Sequence, residues 1–191
     1  MTSLNPLAVV EQVERWNVAA LVYQNGNIRQ QITKYYRMLG TVAEGVQKMD
    51  SLLVSAGVGQ AVTTLIGVLG FYSRIRNVSA EHVSELILKS ALNNIPPGLK
   101  YGNDYNTMLF EHHKVMTEMF DVLLENQEAK RQNDIVFYTK LAEALALLLS
   151  IATSKDIVVT RSILNAVNKL EVTQGVMNEL GLFVKTVTGN K

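Results

Sequence analysis

The residues best suited to bind a metal are the neighbours Glu111, His112 and His113. Consecutive side chains on a helix point about 100° apart, so these three cannot face one ion without ligands from elsewhere in the chain. The third histidine, His82, is distant in sequence. The pattern is more typical of surface histidines on an amphipathic helix. We therefore expect no metal and no cofactor.

Other chemical signatures are incomplete. Carboxylate pairs such as Glu111 and Glu118 lie on polar helix faces, with no cleft to bring them together for acid–base work. The segment Gly57–Gly59 starts a dinucleotide fingerprint, but Val62 stands where the third glycine belongs. Cysteine is absent, which excludes thiolate nucleophiles and disulfides. The sequence therefore predicts a protein that is not an enzyme.

Composition favours a folded protein that associates with partners. The 191 residues are 48% hydrophobic and 18% charged, which predicts a sizeable core and more apolar surface than a solitary domain usually exposes. We therefore expect a homo-oligomer. The 18 basic and 17 acidic residues are well mixed along the chain, so no basic face predicts binding to nucleic acid.

The sequence gives no clear targeting signal. The first six residues lack the basic region and long apolar core of a secretory signal. We expect either a cytoplasmic protein or a mature exported form with an added Met1. The longest nearly apolar stretches, 61–72 and 141–152, are about half of what a spanning helix needs, so no integral membrane segment is predicted.

Long helices should position whatever the protein presents. Asn5 and Pro6 form a typical helix start, and the triplet 25–27 should break or kink the helix that follows. From there to a glycine end near 54–57, apolar residues recur at gaps of four and three, which predicts one helical stripe. Its members are Ile28, Ile32, Tyr35, Leu39, Val42, Val46, Met49 and Leu53.

The two ends of the chain should pack together. A second stripe begins at Tyr138 and continues through Met177, Leu180 and Val184 to Val187, with weak strand signals. We expect an all-α, elongated bundle in one domain, residues 1–191. Its long helices would come from 5–54 and 134–188. The glycine-rich segment 57–104 would form a smaller appendage of short helices and loops.

Apolar and aromatic residues of the appendage are the candidate partner interface. Exposed aromatic side chains often anchor interfaces, although packing in the protein's own core explains such residues about as well. The candidates are Val62, Leu65, Leu69, Phe71, Tyr72, Tyr101 and Tyr105.

The order of these features resembles the minor pilin family of type IV (conjugative) secretion systems. Three segments carry the resemblance. A small-residue segment, 53–59, follows the N-terminal helix, and a proline–aromatic loop spans 95–101. The turn 152–156 precedes a helix that bears Arg161, Asn165, Leu170 and Gln174.

The resemblance implies a structural or adhesion subunit at the tip or base of a conjugation pilus. Its partners would be copies of itself, other pilus or secretion-system subunits, and the recipient-cell surface. It would lie in the periplasm or at the cell surface once a signal peptide is removed. Two alternatives remain open. One is a helical coat or scaffold subunit of a virus or filament, and the other is an α-helical pore-forming toxin component with 61–72 as its insertion element.

Overall fold

The computed structural model describes residues 4–76, 79–93, 104–129 and 134–186. The protein is all-α, as predicted, with one small sheet among these residues. The helices are α1 (Pro6–Ala19), α2 (Val22–Asn25), α3 (Ile28–Lys48), α4 (Ser51–Arg76), α5 (Ala80–Asn93), α6 (Tyr105–Ala129), α7 (Asp134–Thr153) and α8 (Val159–Val172). The strands are β1 (Gly175–Met177) and β2 (Phe183–Lys185).

The chain divides into two compact units, where the sequence analysis expected a single domain with an appendage. The first unit comprises residues 1–85 and 160–191, and the second comprises residues 86–159. Residues 57–76, expected in the appendage, are the greater part of α4 and belong to the core of the first unit. The expected loop around 94–103 lies outside the described residues.

Local capping fixes the first break in the helices. Asn5 accepts hydrogen bonds from the amides at the start of α1. Leu21 takes a left-handed conformation (φ 57°) between α1 and α2. Asn27 then starts α3 with a capping box, exchanging hydrogen bonds with Gln30. The interruption expected at 25–27 is therefore confirmed, and the Asn27–Gln30 capping box starts the next helix there.

The helix expected to end near 54–57 ends earlier. Met49 adopts φ 53° at the end of α3. The Asp50 carboxylate then accepts hydrogen bonds from the amides of Leu52 and Leu53, so α4 starts directly after α3. The predicted stripe is thus divided between two helices. Of the predicted stripe, only Ile28, Tyr35 and Val42 lie on the buried face of α3. The other buried residues of α3 are Gln31, Met38 and Gly45.

Helices α3 and α4 form a tight antiparallel hairpin because glycines replace larger side chains where they touch. A Cβ added at Gly57 would lie 2.8 Å from Val42 Cγ2 and 3.1 Å from the Val42 amide nitrogen. A Cβ at Gly45 would lie 2.7 Å from the amide nitrogen of Val54. The glycines expected to weaken this region instead let the two backbones approach.

Helix α8 packs on the other side of α4. Gly59 lies against the backbone of Ser162, with no room for a Cβ between them. One turn earlier, the hydroxyls of Ser55 and Ser162 are 2.7 Å apart and share a hydrogen bond. The C-terminal helix therefore packs with the N-terminal part of the chain, while α7 belongs to the second unit.

The prediction that the C-terminal stripe stays helical beyond α8 was wrong for residues 175–185. Strands β1 and β2 form an antiparallel hairpin in which Val176 pairs with Val184 and Met177 with Phe183. Gly181 (φ 72°) and the Asn178 side chain build its turn. Val187 lies outside the described residues.

The second unit centres on the antiparallel pair α6 and α7. Lys140 Nζ lies 2.7 Å from Glu118 Oε2, and the Tyr105 hydroxyl donates to the Ser154 carbonyl at 2.9 Å. Both helices contribute large, fully buried side chains, among them Met108, Met116, Met119, Leu123, Phe137, Leu141 and Leu148.

Two described helices, α4 and α7, are long and apolar enough to cross a membrane by length and composition. Helix α4 runs for 26 residues, so the apolar stretch that looked too short in sequence lies within a longer helix. Most of its apolar window is buried inside the protein, and core helices of soluble proteins pass the same test. This is weak evidence for a membrane span.

The hairpin predicts opposite effects of one substitution at two glycines. Gly57→Ala should lower the free energy of unfolding by about 1–3 kcal/mol, because the new methyl group overpacks against Val42. Gly40→Ala, also helical but with nothing within 4 Å of the new Cβ, should raise it by about 0.5–1 kcal/mol. Urea unfolding of the two variants tests this, and equal stabilisation of both would show that the helices do not approach closely at Gly57.

Candidate functional site

The most concentrated polar chemistry in the first unit is a cluster of four side chains, Glu14, Asn17, Tyr23 and Arg74, called here the Glu14 cluster. The Tyr23 hydroxyl donates to Glu14 Oε1 and accepts from Asn17 Nδ2, which lies 3.1 Å away. Arg74 Nη1 lies 3.1 Å from Glu14 Oε2, completing an ion pair whose carboxylate is buried.

Three local features bring the cluster together. Glu14 and Asn17 are three residues apart on α1 and so share its buried face. The left-handed turn at Leu21 directs α2 so that Tyr23 meets that face. The Tyr23 hydroxyl occupies the space that a Cβ at Gly70 would fill, and Arg74, one turn later, donates to the Gly70 carbonyl at 2.9 Å.

Burial governs the electrostatics of the cluster. Removal from water raises the pKa of Glu14, although the Tyr23 hydroxyl and the Arg74 charge oppose that rise. Burial, followed by the adjacent Glu14 charge, also raises the pKa of Tyr23 well above its usual range. Tyr23 is therefore a fixed donor rather than a proton-transfer group. The Arg74 guanidinium lies 3.6 Å from the centroid of the Tyr23 ring.

An open depression of about 630 Å³ lies beside the cluster. Its walls carry three carboxylates and two guanidinium groups, and the described lining contains no serine, cysteine or histidine that could act as a nucleophile or base. The lining residues are Glu11, Glu14, Arg15, Val18, Ala19, Arg74 and Glu81. Within it, the ion pair between Glu14 and Arg74 links α1 to α4.

A second depression, called here the α4–α8 groove, has a volume of about 170 Å³. Its floor is made of small side chains, with the hydrogen-bonded pair Ser55 and Ser162 at the centre. Leu52, 81% exposed, is one of its lining residues, and Met49 in the α3–α4 turn is 85% exposed. The remaining lining residues are Ala56, Gln60, Asn165, Ala166 and Lys169.

The structure places most of the predicted interface residues inside the first unit. Five of them are buried, namely Val62, Leu65, Leu69, Phe71 and Tyr72. Phe71 packs edge-on against Tyr23, with ring centroids 4.9 Å apart, and so supports the Glu14 cluster. With these side chains in the core, the described fold leaves them no surface to offer a partner. A partner could contact these residues only if α4 moved out of the core of the first unit.

The other two predicted residues are separate from these five. Tyr101 lies outside the described residues. Tyr105 begins α6 in the second unit and is half-buried, with its hydroxyl on the Ser154 carbonyl and Lys155 Nζ 3.6 Å from the centroid of its ring. These contacts of Tyr105 connect the start of α6 with the end of α7.

The histidine pair divides between the inside and the outside of the second unit. His112 is completely buried and His113 is exposed, so the expectation of surface histidines is wrong for His112. Burial, with a smaller contribution from His113, lowers the pKa of His112 to about 3. Within the described part of the chain, no three histidine or acidic side chains are placed to hold a metal ion. The side chain of His82 lies outside that part.

Sequence reasoning missed the Glu14 cluster, although a signal was present. Val10, Val13 and Asn17 lie on the same face of α1 as Glu14, so a carboxylate was placed among apolar positions. Such a carboxylate implies a buried partner. The partners themselves could not be found, because Tyr23 and Arg74 reach it only through tertiary packing.

Comparisons of the chain with protein-family models, with curated proteins and with solved structures find no match.

The Glu14 cluster predicts coupled losses of stability. Tyr23→Phe should lower the free energy of unfolding by about 1–3 kcal/mol, because buried Glu14 and Asn17 each lose a hydrogen-bond partner. Asn17→Ala should also destabilise, and the double variant should cost less than the sum of the two. Urea unfolding of the three variants measures this, and strict additivity would contradict the network.

Buried His112 predicts a loss of stability in acid. The unfolded chain takes up a proton below about pH 6.5, while folded His112 stays neutral until about pH 3. The free energy of unfolding should therefore fall by a few kcal/mol as pH drops through this window. His112→Phe should remove that part of the slope, and His113→Gln, at the exposed neighbour, should leave most of it. An unchanged slope in His112→Phe, measured by urea unfolding at several pH values, would contradict the assignment.

Proposed function

We propose that the protein is a non-enzymatic helical subunit that assembles with copies of itself by packing helices across the α4–α8 groove. The observation that carries the proposal is the exposure of a large apolar side chain, Leu52, in the lining of a groove that also contains four small side chains. Exposed apolar residues next to a concave surface are typical of protein contacts.

The groove suits helix packing for two reasons. Its floor of serine and alanine side chains lets another helix approach closely, as glycine does between α3 and α4 within the first unit. Its rim carries Gln60, Asn165 and Lys169, which can remain hydrated when the centre is covered. Leu52 provides the apolar group that a second copy would insert, so one surface supplies both the projection and the recess.

The finer proposal is a structural or adhesion subunit of a type IV secretion (conjugation) pilus, in the periplasm or at the cell surface. Its support is the order of sequence features that resembles minor pilins, namely the small-residue segment 53–59 and the turn 152–156. The first lies in α4 along the α4–α8 groove, and the second links α7 to α8. Other pilus subunits and the recipient-cell surface would be the further partners. A coat or scaffold subunit would use the same contacts.

A pore-forming component is the second candidate, and the composition of α4 favours it. From Ser51 to Ser73 this helix carries no charged residue, and its length suffices to span a bilayer. In this alternative the hairpin would open and α4 would exchange its protein surroundings for lipid, exposing the five buried residues discussed above.

Assembly of the purified full-length chain tests the leading proposal. Sedimentation velocity across a concentration series should show species larger than a dimer, and Leu52→Lys should abolish them while leaving the melting temperature unchanged. Ile135→Lys is the matched control, because Ile135 is equally exposed (81%) but lies on α7 in the second unit. Equal assembly of both variants would overturn the role of the groove.

Leakage of a dye from anionic liposomes separates the candidates. The assembly subunit should leave the vesicles intact, whereas a pore-forming component should release the dye. If the dye is released and no species larger than a dimer forms, the second candidate replaces the leading proposal.

A further inference from the structure

The outer edge of strand β2 offers unpaired backbone groups. The Thr186 amide donates to the Gln174 carbonyl at 3.1 Å, and the Asn178 amide donates to the Leu182 carbonyl at 2.9 Å. Alternate residues of an antiparallel ladder form hydrogen-bonded pairs, so the N–H and C=O of Val184 face β1. Those of Phe183 and Lys185 must then point away from β1. Among the described residues, no hydrogen bond reaches them.

The opposite edge of the hairpin is covered. The Met177 amide donates to the Ala20 carbonyl at 2.8 Å, and Asn25 Nδ2 donates to the Met177 carbonyl at 2.7 Å. Met177 is buried there. The sheet therefore has one edge closed by the end of α1 and by α2, and one edge open. Unpaired backbone groups on an open edge can template further pairing.

We propose that β2 pairs with β2 of a second copy of this chain, antiparallel and centred on Val184, to form a four-stranded sheet across a twofold axis. This contact is distinct from the α4–α8 groove and does not depend on the proposed function. The partner is a second copy because the edge is complementary to itself in hydrogen bonding and in its apolar face.

The hydrogen bonds fix the register. Only Phe183 and Lys185 direct backbone groups outward, so residues that face outward on both strands must meet. Centring the pair on Val184 places Phe183 of each copy opposite Lys185 of the other, and each such pair exchanges two hydrogen bonds. A register two residues further on would set Lys185 against Lys185, which like-charge repulsion disfavours.

The side chains support the same register. Val176 and Val184 are neighbours on the outer face of the hairpin, 45% and 51% exposed. Centring on Val184 sets the two copies of this valine side by side, in a pair without hydrogen bonds where side chains come closest. Four valines would then form one apolar row across the sheet. The inner face remains anchored, since the Phe183 and Trp16 rings lie 5.6 Å apart.

Proline at position 185 tests the edge directly. Lys185→Pro removes the outward N–H but leaves the bonds to β1 in place, and proline is tolerated on an edge strand. Lys185→Ala is the matched control, because it removes the same side chain and keeps the N–H. The comparison is made in the Leu52→Lys chain, which lacks the groove contact. There, sedimentation equilibrium should show a dimer for the parent chain and for Lys185→Ala, and a monomer for Lys185→Pro.

Trp16 is the only tryptophan, so its emission reports whether the hairpin still packs on α1 in each variant. A native chain that stays monomeric up to its solubility limit would overturn the proposal. So would a Lys185→Pro variant that dimerises like Lys185→Ala.

Disulfide trapping gives a second, independent measurement, which decides the matter even if Lys185→Pro does not fold. The chain has no cysteine, so Val184→Cys introduces the only thiol. In the proposed dimer two such thiols lie within disulfide reach across the axis. Val176→Cys is the control on the same face, since the two copies would be about 14 Å apart, three strand spacings. Oxidation should cross-link the first variant and not the second, and equal cross-linking of both would contradict the register.

The results also separate this interface from the groove. Leu52→Lys should remove species larger than the dimer and leave the dimer itself intact. Large assemblies that persist in Lys185→Pro would overturn the β2 pairing alone. A dimer that never grows further and that Lys185→Pro converts to a monomer would overturn the groove alone.

Discussion

The close approach of other elements to α4 is the constraint on which the first unit depends. Three glycines of this helix contact three different neighbours: Gly57 lies against α3, Gly59 against α8 and Gly70 against Tyr23. Any side chain larger than hydrogen would push those neighbours away. Glycine costs about 1 kcal/mol in a helix interior, so the cost is sustained only where it permits contacts that are worth more. Helix α4 remains stable despite its glycines because other elements of the first unit surround it.

The burial of α4 also explains where charged side chains occur around it. Helix α4 is uncharged until Arg74, in its last turn, where one face meets water. Glu14 is carried into the interior by α1 and is stabilised by the first cation that α4 supplies. A buried carboxylate without such a partner would be far more costly. The polar cluster is therefore a consequence of the apolar helix beside it, and it fixes the angle at which α1 and α2 cross that helix.

The features that sequence predicted well are those encoded within a few residues. The Asn5 cap, the break at 25–27 and the all-helical character depend on local hydrogen bonds and periodicity. Errors arose where tertiary contacts decide. Glycines in 57–70 were interpreted as helix-weakening, since their neighbours α3 and α8 are invisible in a local window. The buried face of α3 differs from the predicted stripe for the same reason.

The candidate site was harder to predict than the fold. Hydrophobic residues of 62–72 suggested an interface, but an apolar residue exposed to a partner and one buried in a core look alike in sequence. The C-terminal hairpin was missed because Met177, Leu180 and Val184 fit a helical repeat, although the hairpin has Gly175 and Gly181 at positive φ. The exposed groove residue Leu52 was predicted to lie within a continuous helix, one residue from the end of the stripe.

Acid acts on the two units in opposite directions. In the second unit, His112 is neutral when folded, so acid adds protons to the unfolded chain first and stability falls. In the first unit, burial raises the pKa of Glu14 above its usual value, so the folded state takes up this proton before the unfolded chain does. The contribution of Glu14 to stability therefore increases as pH falls through that raised pKa. Because the two groups belong to different compact units, mild acid should loosen the α6–α7 pair while the packing of α1 on α4 persists.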